Sequence, residues 1–445
     1  MKIKLYRSAT VGIKLDNFKV LMDPWLVDGE YFGSWSHFPK FDLDKYLDEI
    51  NSYDAIYISH IHPDHCSDKT LKKINKNIPI YIHKYHAPFL KFKLEKIGFK
   101  TIEIKNATRT RLAKDAYINI YAADNCDPDV CFKFFGCSDK SATSHSQQID
   151  SIAIFDDGKN VLVNTNDSPY ELAKNTINRI KKDYDNINIL LHGYQNASAY
   201  PQCFDNFHTD QEKLNEGKKI AKLCLDRALG YITSLKPQLF LPFAGTYALS
   251  GKLSNIDCLR GIPTIDSAIN YLSSKQKHSL PIMLSPEAEF DFINSTYSYE
   301  YKKFNLGKYK TYVRNTLSKK KFDYEYEDFP ENEEIISLAK EAFKKFIEKK
   351  LLLSANFKTD IFIPLKGMSI MLNGNNSLHI VNPDKYRYSN EFLSFSVDPR
   401  LLKSLLKGPR FAHWNNAEIG SHINFLRNTD TFQRDAHLIM SYFHN

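Results

Sequence analysis

The stretch YISHIHPDHCS, residues 57 to 67, crowds His60, His62, Asp64 and His65 into six positions directly behind the apolar run Ala55-Ile56-Tyr57-Ile58. A run of that kind reads as a buried strand, so the chain must fold to leave the end of this strand open to a gathering of imidazoles and a carboxylate. Such groups, converging from a rigid support, are what a divalent metal requires. His60 and His62 can face the same way, Pro63 forces a turn, and Asp64 and His65 can then reach a second centre. A two-metal site needs further ligands. His145 in SATSHSQQIDS, Asp167 in VLVNTNDS and His192 in ILLHGYQNAS are candidates, the last two directly behind strand-like runs. A carboxylate such as Asp167 can bridge two ions, with a histidine completing each side.

The rest of the chain supports a packed, mixed α and β protein. Short β-type runs with Asn, Asp, Gly or Pro between them fill the first 165 residues, among them KIKLYRS, KVLMDP, DAIYIS, IPIYIHK, AYINIYAA, SIAIFDDG and NVLVNTN. Helical stretches alternate with some of them, and 213–235 has the spacing of an amphipathic helix. Near 330 an acidic stretch around a proline opens another such helix, followed by the strand-like TDIFIPLK, SIMLNG, SLHIVN and FLSFSVD and the helical PRLLKSLLKG. This predicts a metal-binding domain over 1–325 and a smaller C-terminal α+β module over 330–445. With no close ligand pair like that at 60 and 62, the module is expected to stand outside the metal site.

Composition excludes several classes. With 42% hydrophobic and 13% aromatic residues the chain can build packed cores. The surplus of 60 Lys and Arg over 52 Asp and Glu is spread out, which argues against nucleic acid and fits a small acidic substrate. No window approaches 18 apolar residues and the start of the chain lacks a secretory pattern, so no membrane span is expected. The 7 cysteines form no CxxC, which argues for a cytoplasmic chain without a disulfide framework. Cys126, Cys131 and Cys137 match no zinc-module spacing.

The pattern HxHxDH followed by His, Asp and His resembles the metallo-β-lactamase fold superfamily. The resemblance implies an α/β (α+β) fold, a four-layer αββα sandwich with the metals at one edge of its two sheets. By position, His60, His62 and His145 would hold one ion, Asp64, His65 and His192 the other, and Asp167 would lie between them. Further stretches, DPWLVDGEYFGSW (23–35), NTNDS around Asp167, NASAYPQCF (196–204) and PFAGTYALSG (242–251), are similar to the catalytic part of CMP-N-acetylneuraminate hydroxylase over roughly residues 5 to 295. That family hydroxylates a CMP-linked sialic acid with electrons passed through a Rieske iron–sulfur centre. HWNNAEIGSHINF (413–425) looks like the tail of its bacterial relatives. The sequence departs from the family in having no CxH or CxxH pair for a Rieske cluster, and in carrying His192 where the vertebrate pattern has an aspartate.

The first expectation is therefore a dinuclear metal-dependent hydrolase. It would act on a small phosphorylated or sugar-nucleotide-like substrate through a metal-bound hydroxide, with Asp64 as the catalytic carboxylate. Trp25, Tyr194 and Tyr200 are the substrate-binding candidates, with His83 and His86 also near the site in sequence. The alternative is an iron-dependent oxygenase of an activated sugar, served by a separate redox partner. Imidazole and carboxylate ligands suit two zinc or two iron ions alike.

Overall fold

A computed structural model describes every residue except 86, 123–149, 246, 375, 390 and 429–432, and the side chains of 386–388. The strand-like runs become strands: Lys2–Arg7, Thr10–Leu15, Phe18–Met22, Ala55–Tyr57, Ile80–His83 and Thr101–Ile104 lie in one eight-stranded sheet. Ala116–Ala122, Ser151–Asp156, Val161–Asn164, Ile189–Gly193 and Leu239–Phe243 lie in a seven-stranded one.

Alternation along the strands explains how the sheets stack. In Ser151–Asp156, Ala153 and Phe155 point to one face and join Val11, Ile13, Val20 and Ala55 of the other sheet in a common core. Ile152 and Ile154 point the opposite way, onto Ala173, Ile177, Ala228 and Ile232 of the helices Tyr170–Asp183 and Asp210–Leu235. The first sheet likewise turns Leu21, Ile56, Ile80 and Ile82 onto Leu43, Ile50, Leu90 and Leu94 of the helices Leu43–Asn51 and Phe89–Ile97. Helix, sheet, sheet, helix is the expected four-layer αββα sandwich.

Strand direction decides where a site can form. Phe18–Met22, Ala55–Tyr57, Ile80–His83 and Thr101–Ile104 run parallel, as do Val161–Asn164, Ile189–Gly193 and Leu239–Phe243. Their carboxyl ends, with the loops beyond them, are where open α/β sheets gather functional groups.

A five-stranded sheet, containing Asp360–Leu365, Met368–Asn373, Ser377–Val381, Phe392–Val397 and Ile423–Arg427, carries the C-terminal part. Helices Asn332–Leu352 and Pro399–Lys407 pack on it. Its core also takes in Ala199, Cys203 and Phe204 from the earlier chain, and an isolated bridge joins Phe204 to Phe425. Among the described residues no helix is long and apolar enough to cross a membrane.

Candidate metal centre

Asp23, directly behind the strand Phe18–Met22, is fully buried with a left-handed backbone (φ 45°) that a non-glycine residue adopts only at a cost. Its carboxylate accepts from the Ser59 N–H (2.7 Å), the Ser59 hydroxyl (2.8 Å) and His65 Nδ1 (2.9 Å). These bonds fix the tautomers of the neighbouring rings. The Ser59 hydrogen goes to Asp23, so Ser59 Oγ, 2.9 Å from His60 Nδ1, accepts from that nitrogen. His60 Nε2 and His65 Nε2 are then left with free lone pairs. His62 is held in the opposite sense: its Nε2 donates to Asn415 Oδ1 at 3.2 Å, which frees Nδ1.

The three freed nitrogens converge. His60 Nε2 and His62 Nδ1 are 2.9 Å apart, near enough for both to be ligands of one ion. His65 Nε2 lies 3.2 Å from Asp167 Oδ2 and 3.5 Å from Asp64 Oδ2, and donor atoms of His60, His65 and Asp167 all fall within 4.8 Å of one another. Asp150 Oδ1 stands 3.7 Å from His60 Nε2. Asp167 reaches in because Asn166, the residue before it, takes the left-handed conformation (φ 48°), and Ala244 does the same behind Leu239–Phe243 (φ 56°).

Charge favours a cation here. Burial opposes a positive charge on His65, but Asp167, Asp64 and Asp23 outweigh it and raise the ring's proton affinity well above the ordinary value. Burial would raise Asp167, yet His65 holds its carboxyl below the usual range. Asp64 goes the other way: burial, with the nearby charge of Asp167, pushes its carboxyl up despite His65 and the 2.5 Å bond from the Tyr31 hydroxyl. A pocket that holds a proton between the Asp64 and Asp167 carboxylates offers the same field to a metal ion that displaces it. Imidazoles with outward N–H groups tied down, and carboxylates beside them, fit a divalent centre of zinc or iron type once the ion has displaced the His65 proton.

Of the residues singled out in the sequence, His60, His62, Asp64, His65 and Asp167 are brought together. His145 lies outside the described residues, as do His86, Cys126, Cys131 and Cys137. His192 is fully buried, on the strand face of Leu190 and Tyr194, with its ring 6.0 Å from Phe240. A Cβ on its neighbour Gly193 would lie 3.8 Å from Asp167 Oδ1, so the next position, not His192, faces the donors. Burial lowers the His192 ring to about 4, and its Nε2 has no partner among the described residues.

Beside the donors opens a cavity of about 370 Å³ that His62, Asp150 and Asp167 help to line. Gln195, Asn196, Ser198 and Arg227 add polar groups, and Ile220, Leu223 and Ala228 of the helix Asp210–Leu235 add apolar ones. That helix begins with a capping box, Thr209 and Glu212 each bonding the other's backbone. Its predicted apolar face thus divides between the core and the cavity. The substrate-binding candidates stand elsewhere. Trp25 is buried against Trp35 and His37 with Nε1 donating to Val27 O. Tyr194 is buried in the helix-facing core, and Tyr200 donates to Glu216.

The cavity corrects the expectation that the C-terminal module stands outside the site. Asn415, Glu418 and Ile419 line it, and Asn415 is the partner of His62. Sequence reasoning missed Asp23, Tyr31, Asp150 and Asn415. Asp23 had a signal, an aspartate between a strand and a proline; Asn415 had none without the fold.

Residues 2–155 match the model of the beta-lactamase superfamily domain. Among curated proteins the chain is 26% identical over 285 residues to a putative Rieske 2Fe-2S iron-sulfur protein of Mycolicibacterium smegmatis, covering 62% of this chain and 51% of that one. It is 35% identical over 109 residues to the cytidine monophosphate-N-acetylneuraminic acid hydroxylase of Xenopus laevis, covering 23% of this chain and 18% of that one. The chain thus spans about half, or less, of the relatives it matches. Among solved structures, the isothiocyanate hydrolase from Delia radicum gut bacteria aligns with a TM-score of 0.42 at 12% identity, over 65% of this chain and 99% of that one.

Proposed function

We propose that this chain, whose residues 2–155 match the beta-lactamase superfamily domain and which has cytidine monophosphate-N-acetylneuraminic acid hydroxylases among its relatives, is a dinuclear metal-dependent hydrolase of a small phosphorylated or sugar-nucleotide-like substrate. The observation that carries the reading is the gathering of His60, His65 and Asp167 donor atoms within 4.8 Å of one another, with His62 Nδ1 2.9 Å from His60 Nε2 and each ring's other nitrogen tied down. Two divalent ions held there would lower the pKa of a water between them and stabilise charge developing on a substrate oxygen. His60, His62, Asp64, His65 and Asp167 would hold them, with His145 as the remaining candidate.

The chain's own residues supply the rest. Asp64, raised by burial and steadied by Tyr31, is suited to take a proton at bond cleavage. A cavity of about 370 Å³ suits a small metabolite. Its mix of amide, hydroxyl and apolar wall suits a molecule with both polar edges and a ring face.

A second reading, an iron-dependent oxygenase with a separate electron donor, draws on two observations. Both curated relatives are named for a Rieske centre or a hydroxylase, and His192 is turned away from the donors that it would complete in a hydrolase. Hydrolysis takes precedence because, beyond the two ions that both readings require, it needs only water and the site's own carboxylates, whereas oxygenation also needs oxygen and an electron donor. The test uses metal-loaded protein in parallel reactions. Hydrolysis of bis(4-nitrophenyl) phosphate or a CMP-sugar without oxygen upholds the proposal. Sustained oxygen uptake coupled to a CMP-sugar, with iron and a reductant, replaces it by the second reading.

A further inference from the structure

Three candidate ligand rings have their outward nitrogens fixed, and the fixing groups come from opposite ends of the chain. Asp23 and Ser59 serve His65 and His60 from within the sandwich. His62 depends on Asn415, 353 positions away. That residue belongs to the short helix Trp414–Ile419, which is firmly seated. Trp414 is buried in the C-terminal core with Nε1 donating to Phe443 O (2.9 Å), and His413 Nδ1 accepts from the Asn415 N–H (3.2 Å).

A second arm from the same stretch reaches the site. Burial lowers the His422 ring to about 4, so it is neutral near pH 7. Its Nε2 donates to Tyr31 O (2.8 Å) and its Nδ1 accepts from Tyr324 (3.1 Å). Tyr31 in turn gives its hydroxyl to Asp64. The fit is tight, because a Cβ on Gly420 would come within 2.9 Å of Tyr31 Cβ.

We propose that Asn415 is a positioning residue of the metal centre: it holds His62 in the tautomer and orientation that present Nδ1 to an ion, so the C-terminal part of the chain completes the site. This inference rests on the reading of His62 as a ligand. Partners of this kind set ring orientation and basicity, and their loss typically weakens metal binding about 10- to 100-fold.

The test titrates the full-length, metal-stripped chain with cobalt(II), following the visible ligand-field bands and, separately, the thermal melt. Asn415→Leu should bind one of two cobalt ions about 10- to 100-fold more weakly with altered bands and an unchanged melt. Asn415→Asp, which keeps an acceptor, should restore affinity and spectrum. If the leucine variant does not fold, Asn415→Ala is titrated with the same expectation. Wild-type affinity and spectrum in the variant lacking the acceptor would overturn the inference while leaving the metal centre standing. A wild-type chain that binds no cobalt would overturn the reading beneath it.

Discussion

Asp23 and Asn415 support neighbouring histidines, but the fold holds them in different ways. Asp23 follows a strand whose register, Met22 opposite Tyr57, is locked to the strand that leads into His60. The same ladder therefore fixes both the loop of candidate ligands and its buried partner. Asn415 rides on a six-residue helix held by side-chain packing and by His413, with no strand ladder behind it. One support is part of the sandwich's architecture; the other is docked onto it. Removing each should therefore have different consequences for stability, even where the effect on metal is alike.

The largest effects should separate ligands from core. His60→Ala should lose at least one equivalent of metal, read by mass spectrometry of the purified protein, while its melt stays cooperative, because the ring sits beyond the end of a strand. Phe155→Ala, in the core between the sheets, should cost about 3–5 kcal/mol in chemical unfolding without touching a ligand. Loss of cooperative unfolding in the histidine variant would make His60 a packing element and remove the contrast.

Next comes the support on the ladder side. Asp23→Ala leaves the buried Ser59 N–H and His65 Nδ1 without an acceptor, so it should lose metal affinity about 10- to 100-fold and stability by about 1–3 kcal/mol. Asn415→Leu should lose only the first of these. Equal stability losses in denaturant titrations of both variants would erase the distinction between a built-in and a docked partner.

The smallest effect concerns the docked wall itself. Burial pushes the Glu418 carboxyl up to about 8, above the ordinary ~4.3. The folded chain thus keeps a proton that the unfolded chain has released, and stability falls as pH rises from about 4.5 to 8. Glu418→Gln should melt with the wild type near pH 4.5 and roughly 2–4 °C higher near pH 8.5. A constant offset at both pH values would mean that Glu418 keeps its charge in the folded state.

What the sequence disclosed follows the same division. The strands were legible because period-two alternation and turn residues mark them locally, and the motif from His60 to His65 was legible because its candidate ligands are crowded into one loop. Asp167 could be found as a carboxylate just past a strand. His192 looked equivalent, yet one residue of strand phase turns a side chain to the opposite face, and Gly193 faces the donors instead. Trp25 was a substrate-binding candidate because the segment around it is aromatic; those aromatics pack on one another. Asn415 was invisible because its role exists only once two distant parts of the chain meet.

If these side chains form a divalent metal centre, the metal content of the protein reveals it. Protein purified without added metal, or stripped with chelator and reloaded with zinc or iron, should retain about two equivalents per chain after gel filtration, and His60→Ala and Asp167→Asn should each retain less. A folded wild-type chain that keeps no metal under any of these loadings would contradict the account.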